Sequence, residues 1–506
     1  MMGSSKRGKA TVRWDHFLEP DQVGLRIIDR QEKRPVTTVE SGNLNVGTSM
    51  VANYAENMDA IVDNLIGFQR ILKEYQVDEV GFYGALEDLD EVTARYVADQ
   101  LSVRCGLEVN WLSDNQLIAR TLVAIKDQHK RQGIKEGADT FVLLVGLSTS
   151  TLAYFKKGVF ETSWNIDLGK AKISQLAENL RQTTATPSDI IFDYISSKVE
   201  YLVGELGDVE NATLIVQGVS VLADAYLERG QFLGEVALDD FDTSYRRITD
   251  STDQYVINHY QVDEQSVGWV LPSFLIISQT LRLLHAKQLY VTGVTPFEGL
   301  IAVREGQESQ ISQMIRTSAD NIARRYGVKS AHRAFVTKVT LELFDALAPI
   351  HRLDEHYRLL VEIASKVDDI GNFISPQGHY RHSAYILEAN PLIGLSDQDN
   401  RVIAEVSRYH SSESPDVDEH HYRNMDDEIQ LQVAKLAAIL RVADSLDDSR
   451  QQKISKLELA LEGNRLLIYT HASDDLVLEK WAFQRKNKLF TDVYGLQPEL
   501  IAKGDN

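Results

Sequence analysis

The stretch Phe141-Val-Leu-Leu-Val-Gly-Leu-Ser-Thr-Ser-Thr-Leu-Ala-Tyr-Phe155 joins an apolar strand, a glycine and the first strand of a hairpin. Two later runs, Thr213-Leu-Ile-Val-Gln-Gly218 and Leu289-Tyr-Val-Thr-Gly293, also end on glycine. Up to about residue 300 such runs alternate with longer helical patterns, which is typical of α/β domains. A glycine at a strand end either presents backbone N–H groups to an anion or only ends the strand.

Changes of pattern along the chain predict where its domains begin and end. Lys156-Lys157 lies between two strand-like runs and predicts a hairpin. Helices are predicted at Met58–Tyr75, Glu91–Ser102 and Pro272–His285, with Pro272 near a helix start. The pattern becomes purely helical near residue 305 and alternates again from residue 454. We therefore predict four domains: two α/β domains at 1–130 and 131–304, a helical domain at 305–455 and a small α+β domain at 456–506.

Composition limits the classes of function. The 506 residues are 43% hydrophobic and 25% charged, as in soluble globular proteins. Apolar runs long enough to span a membrane are absent, and Met1–Lys9 is basic and polar, so we expect neither a membrane span nor a signal peptide. The one cysteine, Cys105, fits a reducing cytoplasm. A net charge of −21 argues against nucleic-acid or anionic-membrane binding, so a polyanion would need a local basic cluster.

Histidines and aspartates recur in the last third of the chain. The set is His332, Asp368, Asp369, His379, His382, His410 and Asp444. His332 and Val336 share a helix face with later apolar residues, which directs the imidazole toward a core. Buried carboxylates and imidazoles are normally hydrogen-bonded, ion-paired or bound to metal. Each residue taken alone also fits a structural role, with His332 as a core histidine and Asp444 as a helix cap.

The strings around these residues resemble a known helical domain. They are Val367–Ser375, Gly378–Ser383, Arg408–His410 and Leu440–Leu446, and they resemble the HD-type domain of the exopolyphosphatase and guanosine pentaphosphate phosphohydrolase (Ppx/GppA) family. The resemblance implies a metal site of His332, Asp369 and Asp444, with Asp368 as a fourth ligand. It also implies that His379, His382 or His410 contacts phosphate or transfers a proton. Since Asp368 stands where the family has histidine, the cation expected is Mg²⁺ or Mn²⁺.

The first half of the chain is similar to the same family over shorter strings. They are Leu112–Arg120, Ser148–Leu152, Asp167–Gly169 and Phe297–Gly299. The resemblance implies a duplicated α/β fold of the actin, Hsp70 and sugar-kinase (ribonuclease H-like) type. An all-helical HD-type domain and a small α+β domain would follow it.

Several catalytic positions of the family are replaced in this half. The position of its water-activating glutamate falls on Gln116, Leu117 or Ile118, and Asp114 is the nearest acid. Leu144 replaces the aspartate of the phosphate loop, and Leu147 replaces a glycine. The N-terminal loop expected near residues 17–22 has none of the family's polar residues. An apolar residue neither activates water nor holds Mg²⁺, so the usual catalytic centre is predicted to be degenerate.

Donor groups for an anion remain at the strand ends. Gly146, Ser148, Thr149, Ser150 and Gly218 offer backbone N–H groups and hydroxyls that bind phosphate without hydrolysing it. The same residues also fit a simple turn into a hairpin.

Two basic clusters lie near the C-terminus and consist of Arg441, Arg450, Lys453 and Lys456, and of Lys480, Arg485, Lys486 and Lys488. They are either solvated surface or, by the resemblance, part of a channel for polyphosphate.

Three hypotheses of function follow. The first is a phosphoanhydride hydrolase of polyphosphate or guanosine pentaphosphate, whose active centre is the helical domain. The second is a non-catalytic protein that binds polyphosphate or guanosine penta- or tetraphosphate and regulates a partner. The third is an interaction protein without a ligand. The resemblance also leaves open a homodimer, because the family often dimerises.

Overall fold

The structure is a computed structural model, and it forms two compact units, residues 1–311 and 312–506. It describes residues 12–18, 22–29, 34–42, 54–75, 79–86, 89–132, 139–181, 184, 187–206, 209, 211–228, 231–262, 264, 266–416, 418–472 and 474–503. The basic start of the chain, and residues 19–21 of the loop expected near residue 17, lie outside the described residues.

The first sheet of unit 1 has five strands in the order β3-β2-β1-β4-β5. Strands β1, β2 and β3 are antiparallel, whereas β4 and β5 run parallel to β1. The elements are β1 (Val12–Leu18), β2 (Gln22–Asp29), β3 (Arg34–Gly42), α1 (Tyr54–Tyr75), β4 (Glu79–Ala85), α2 (Glu91–Cys105), β5 (Asn110–Leu112) and α3 (Asp114–Arg131).

The second sheet has six strands in the order β10-β11-β9-β6-β7-β8. Its strands and the helices between them are β6 (Asp139–Val145), β7 (Ser150–Lys156), β8 (Val159–Ile166), α4 (Lys170–Arg181), α5 (Pro187–Leu206), β9 (Thr213–Gln217), α6 (Ser220–Tyr226), β10 (Leu233–Val236), α7 (Leu238–Thr249), α8 (Asp253–Tyr260), α9 (Val267–Leu283) and β11 (Gln288–Thr292). Helix α10 (Pro296–Ala302) follows, and a π-helical turn at Val303–Gln307 leads into α11 (Glu308–Arg325).

The same connectivity occurs in both sheets. In each sheet, three consecutive antiparallel strands are followed by two strands that run parallel to the first. In the first sheet these are β1, β2 and β3, followed by β4 and β5; in the second they are β6, β7 and β8, followed by β9 and β11. Strand β10 adds an antiparallel edge next to β11. This repeated order of strands confirms the predicted duplicated α/β fold. The three glycine-ended runs become β6, β9 and β11, which lie side by side in one sheet.

The predicted start of one helix is wrong. Helix α9 begins at Val267, so Pro272 lies inside the helix rather than near its first turn. Proline in a helix interior removes one backbone hydrogen bond. Val270 and Phe274 are buried in the core of the second sheet, and this burial offsets the loss.

Unit 2 begins with helices that converge around one cavity and ends with a small sheet. Its elements are α12 (Ser330–His351), α13 (Glu355–Val367), a 3-10 turn at Ile370–Phe373, α14 (His379–Ala389), α15 (Asp397–Arg408), α16 (His420–Arg423), α17 (Asp427–Ser445), β12 (Ile454–Glu462), β13 (Arg465–Ala472), α18 (Val477–Lys486), α19 (Lys488–Tyr494) and β14 (Gln497–Lys503). Strand β13 pairs antiparallel with β12 and parallel with β14. The predicted helical and α+β regions are therefore both present.

Helix α17 is the centre of unit 2. Its residues from Val433 to Ser445 are almost all buried, and α12, α13, α15, α18 and α19 pack on it. A helix that is apolar on every face is stable only when neighbours cover it completely. The polar residues in its last turn are consequently held inside protein. Among the described helices, none has an 18-residue stretch apolar enough to cross a membrane.

Candidate functional site

His332 lies in the first turn of α12 and faces three carboxylates. Its Nδ1 is 2.7 Å from Oδ2 of Asp447, and its Nε2 is 3.4 Å from Oδ1 of Asp444 and 3.6 Å from Oδ2 of Asp369. Burial opposes protonation, but the hydrogen bonds to Asp444 and Asp447 outweigh it and raise the pKa of His332 to about 10. The imidazole is therefore positively charged at neutral pH.

Two cationic side chains pair with the carboxylates near His332. Arg450 donates to Oδ2 of Asp369 at 2.6 Å, and Lys486 donates to Oδ2 of Asp444 at 2.5 Å. Burial would raise the pKa of both carboxyls. Arg450 nevertheless lowers the pKa of Asp369, while Lys486 and His332 hold the pKa of Asp444 well below its usual range. Both aspartates are therefore ionised and compensated by charges from the chain itself.

Close packing at Gly371 fixes Asp369 relative to helix α14. A Cβ atom at Gly371 would overlap with the carbonyl oxygen of His379, so only glycine permits this approach. The Ser383 hydroxyl accepts from the Gly371 N–H at 2.9 Å and donates to the Asp368 carbonyl. These contacts bring the turn after α13 against the helix that begins with His379.

His379 and His410 face each other through their Nε2 atoms, which are 3.1 Å apart. Nδ1 of His379 is 3.1 Å from the Pro376 carbonyl, and Nδ1 of His410 is 2.5 Å from the Ser407 carbonyl. Since a carbonyl only accepts hydrogen bonds, each Nδ1 carries the hydrogen, and in the neutral rings both Nε2 atoms present lone pairs. Burial, with His379 nearby, lowers the pKa of His410 to about 4, so His410 is neutral at pH 7.

A carboxylate completes this pair. Oδ1 of Asp369 is 3.7 Å from Nε2 of His379, and the donor atoms of Asp369, His379 and His410 all lie within 4.8 Å of one another. Two facing lone pairs repel unless a proton or a cation lies between them. Nδ1–H groups anchored on carbonyls are the usual support for metal-binding histidines. The three side chains therefore fit a divalent cation.

Most of these groups line one cavity of about 360 Å³, which we call the helical-domain cavity, whereas His410 and Asp447 are buried behind its wall. Its walls consist of His332, Asp369, His379, Ser411, Ser412, Arg441, Asp444, Asp448, Arg450, Trp481, Ala482, Arg485 and Lys486. Trp481 is half-exposed, and Arg485 lies over its ring at 4.4 Å from the centroid.

Asp368, His382 and His410 are the three predicted residues of the helical domain that do not line the helical-domain cavity, and His410 is buried directly behind His379. Burial, together with the charges of Asp369 and Asp444, raises the pKa of Asp368 well above its usual range, which favours the neutral acid. His382 lies on α14 near Gly371.

Sequence reasoning missed Asp447, which holds Nδ1 of His332. Its spacing of three residues from Asp444 was the available signal. Asp447 lies in the turn just after α17, and its N–H donates to the Asp444 carbonyl at 3.2 Å, which keeps the two aspartates next to each other.

In unit 1 the predicted phosphate loop uses two of its donors internally. The N–H of Gly146 donates to the Thr149 carbonyl at 3.0 Å, and the Ser150 hydroxyl donates to the Leu168 carbonyl at 2.6 Å. The N–H of Lys170, at the start of α4, donates to the Gly146 carbonyl at 3.1 Å. The loop is therefore a closed turn that caps a helix. Thr149 is exposed and Ser148 is half-buried.

Gly218 does lie close to this turn. Its φ is +86°, and a Cβ atom there would overlap with the Val145 carbonyl. Between them the Lys170 amino group donates to the Gly218 carbonyl at 3.2 Å. The predicted anion donors are thus neighbours, and an ammonium group of the chain lies among them.

The position of the expected glutamate has a structural use. Gln116 is the third residue of α3, and its side-chain oxygen accepts from the Ser113 N–H at 3.2 Å in a capping box. Asp114 is exposed in the first turn of the same helix, and Leu144 is buried.

Comparison with known proteins identifies similarity to one family. Residues 315–487 match the family model described as Ppx/GppA phosphatase, domain III. The Aquifex aeolicus member of the Ppx/GppA family is a similar solved structure, with 12% identity, a TM-score of 0.49, and coverage of 59% of this chain and 98% of that chain. An exopolyphosphatase from Cytophaga hutchinsonii has 15% identity and a TM-score of 0.48, over 58% of this chain and 98% of that one. The ethanolamine utilization protein EutJ from Carboxydothermus hydrogenoformans has 11% identity and a TM-score of 0.30, over 58% of this chain and 88% of that chain.

Proposed function

Because this chain belongs to the Ppx/GppA phosphatase family through a domain III in residues 315–487, we propose that it is a divalent-cation-dependent hydrolase of phosphoanhydrides. The observation that carries this proposal is the convergence of Asp369, His379 and His410 at the wall of a cavity that cationic side chains also line; Asp369 and His379 face the cavity, and His410 lies behind His379. The substrate is a phosphate polyanion, polyphosphate or guanosine pentaphosphate. The reaction takes place in the helical domain.

Asp369, His379 and His410 would hold the cation. Two imidazoles with one carboxylate suit Mn²⁺ or another transition ion better than Mg²⁺, which prefers oxygen ligands. When bound there, the cation would supply Lewis acidity toward a phosphoryl oxygen. His332, charged at neutral pH, and Lys486 supply positive charge on the wall of the same cavity, where they stabilise negative charge on a transferring phosphoryl group.

The α/β unit is not the catalytic centre in this proposal. Its Gln116 side chain serves as a helix cap, and the Gly146 turn is closed by its own hydrogen bonds. Leu144, at the position of the family's aspartate, is buried and apolar. Asp114 is the remaining acid near this position, and it is the residue to test.

The test is phosphate release from polyphosphate and from guanosine pentaphosphate, with Mn²⁺, with Mg²⁺ and with EDTA. We expect Mn²⁺-dependent turnover that falls at least about a hundredfold in His410→Ala and in Asp369→Ala. His382→Ala is the matched control, because it removes an imidazole from α14 without changing the wall of the cavity. Turnover that survives His410→Ala but disappears in Asp114→Ala would move the reaction to the α/β unit and refute the proposal.

A second candidate is a non-catalytic protein that binds the same polyanions. It is favoured by the ion pairs of Arg450 with Asp369 and of Lys486 with Asp444, since both aspartates are neutralised without a metal ion. Calorimetric titration with polyphosphate separates the two candidates. Micromolar binding without phosphate release under any cation would favour the binding protein, whereas turnover would exclude it.

A further inference from the structure

Arg441 is a buried guanidinium without a carboxylate partner among the described residues. It lies on α17, three residues before Asp444, with 6% of its surface exposed. Its Nη1 donates to the Glu413 carbonyl at 2.8 Å and to the Ser414 hydroxyl at 3.2 Å. Its Nε finds no acceptor in the described part of the chain. Burial lowers the pKa of Arg441, yet guanidinium remains charged at neutral pH.

The carboxylates of the cavity wall are ion-paired with other cations. Asp369 pairs with Arg450, Asp444 pairs with Lys486 and His332, and Asp448 pairs with Lys486. The carboxylate of Glu413, whose carbonyl accepts from Arg441, pairs with Arg381 at 2.6 Å. Among the described residues, Arg441 therefore has neutral hydrogen-bond acceptors but no ion pair of its own.

An uncompensated buried charge is costly and is normally paired or bound to a ligand. Arg441 forms part of the wall of the helical-domain cavity together with Ser411 and Ser412. A guanidinium presents a rigid set of N–H donors that matches a tetrahedral oxyanion, and hydroxyls add further donors. These donors lie in the same cavity as His379.

We propose that Arg441, with Ser411 and Ser412, forms a subsite that binds a phosphate group and neutralises the guanidinium. This rests on the proposed function, because the bound group is a phosphoryl unit of the same polyanion. The subsite binds phosphate without a metal ion, since all of its donors come from the chain. Inorganic phosphate, the product of hydrolysis, therefore occupies it as well.

The experiment measures the binding of inorganic phosphate to the full chain in EDTA, by calorimetric titration and by the shift of Tm, with ionic strength held constant by chloride. The wild-type protein is expected to bind phosphate, and its Tm is expected to rise when phosphate is added. Arg441→Met is expected to weaken binding at least about tenfold and to lose that gain. Arg441→Lys, which retains the charge but not the forked donors, should fall between them. Arg358→Met removes an arginine of the same domain that does not line the cavity. Its phosphate affinity and its phosphate-dependent shift of Tm should match those of wild type.

The Tm of Arg441→Met without phosphate is a second readout, because the proposal and a purely structural role predict opposite changes. If Arg441 is uncompensated, Arg441→Met is at least as stable as wild type in chloride, because it removes a buried charge. A purely structural arginine would instead lower Tm and leave the phosphate-dependent shift intact, and that result would overturn the inference. The absence of phosphate binding in wild type would also overturn it. Neither result depends on turnover, so the hydrolase proposal fails or stands on the Mn²⁺ assay alone.

Discussion

Replacing Arg450 with methionine tests how the chain compensates Asp369. Methionine replaces the unbranched aliphatic part of the arginine side chain but lacks the guanidinium that donates to Asp369 at 2.6 Å. The Asp369 side chain is 4% exposed and the Arg450 side chain is 36% exposed. Breaking a fully buried ion pair costs about 3–5 kcal/mol. Because water reaches Arg450 and Asn372 still donates to Asp369 at 2.8 Å, we expect a loss of about 2–3 kcal/mol.

Arg450→Met should strengthen metal binding, although it lowers the free energy of unfolding. The guanidinium competes with a divalent cation for Asp369, so Arg450→Met should bind Mn²⁺ at least about tenfold more tightly than wild type. Mn²⁺ at a hundredfold excess over its Kd adds about 2.7 kcal/mol to the free energy of unfolding. The same Mn²⁺ concentration is only about a tenfold excess for wild type and adds about 1.4 kcal/mol to it. The variant should therefore be less stable than wild type in EDTA, and the difference should narrow by about 1.3 kcal/mol or more in Mn²⁺.

Urea unfolding in EDTA and in MnCl₂ measures both effects in one series. Arg358→Met is the control, since Arg358 makes a two-bond pair with Asp345 at 2.8 and 2.9 Å on the surface. It should lose less than about 1 kcal/mol, equally in both conditions. If Arg450→Met loses the same stability with and without Mn²⁺, and binds Mn²⁺ no better than wild type, the competition argument is refuted.

Three further predictions concern the same domain. The raised pKa of His332 contributes stability that is present below pH 6.5 and is lost as the pH rises through about 10. The difference in unfolding free energy between wild type and His332→Gln should therefore shrink between pH 6 and 10.5, by at most about 5 kcal/mol; a constant difference contradicts this. Gly371→Ala should cost about 3 kcal/mol or more in urea unfolding and should weaken Mn²⁺ binding, because its Cβ displaces Asp369 from His379; tight Mn²⁺ binding would oppose this. Ser396→Ala removes the N-cap of α15, where the Ser396 hydroxyl accepts from the Asp399 N–H at 3.0 Å. It should lower the free energy of unfolding by about 1 kcal/mol and leave Mn²⁺ binding unchanged.

The α/β class of unit 1 could be predicted because its signals are local, whereas the duplicated arrangement followed from the resemblance. The run from Phe141 to Gly146 combines apolar residues with a terminal glycine, and it forms β6 almost residue for residue. Pro272 was misleading because its preference for a first turn is weaker than the burial of the apolar residues around it. Strand β10 had no clear signal, since its four residues are stabilised by pairing with β11 rather than by their own pattern.

The candidate site was only partly predictable, because its residues come from distant parts of the chain. Repeated histidines and aspartates indicated α12, α14 and α17 as contributors. The role of Arg450 was hidden, because a turn with left-handed backbone at Arg450 and Gln452 directs this side chain to Asp369. Neither position is glycine, so the usual sign of such a turn is absent. The role of Lys486 depends on packing of α18 against α17, which a sequence pattern does not report.

The net charge of −21 and the cationic cavity are compatible because they act over different distances. The field of the whole chain opposes the approach of a polyanion, but salt screens it within about 8 Å at physiological ionic strength. Inside the cavity the carboxylates of Asp369 and Asp444 are ion-paired, and cationic side chains outnumber carboxylates on the wall, with Arg441 lacking an ion pair among the described residues. Since a buried charge is screened far less than the surface, attraction is confined to ligands that enter. If Arg441 forms the proposed phosphate subsite, selection for phosphate depends on this guanidinium and not on the average charge of the protein.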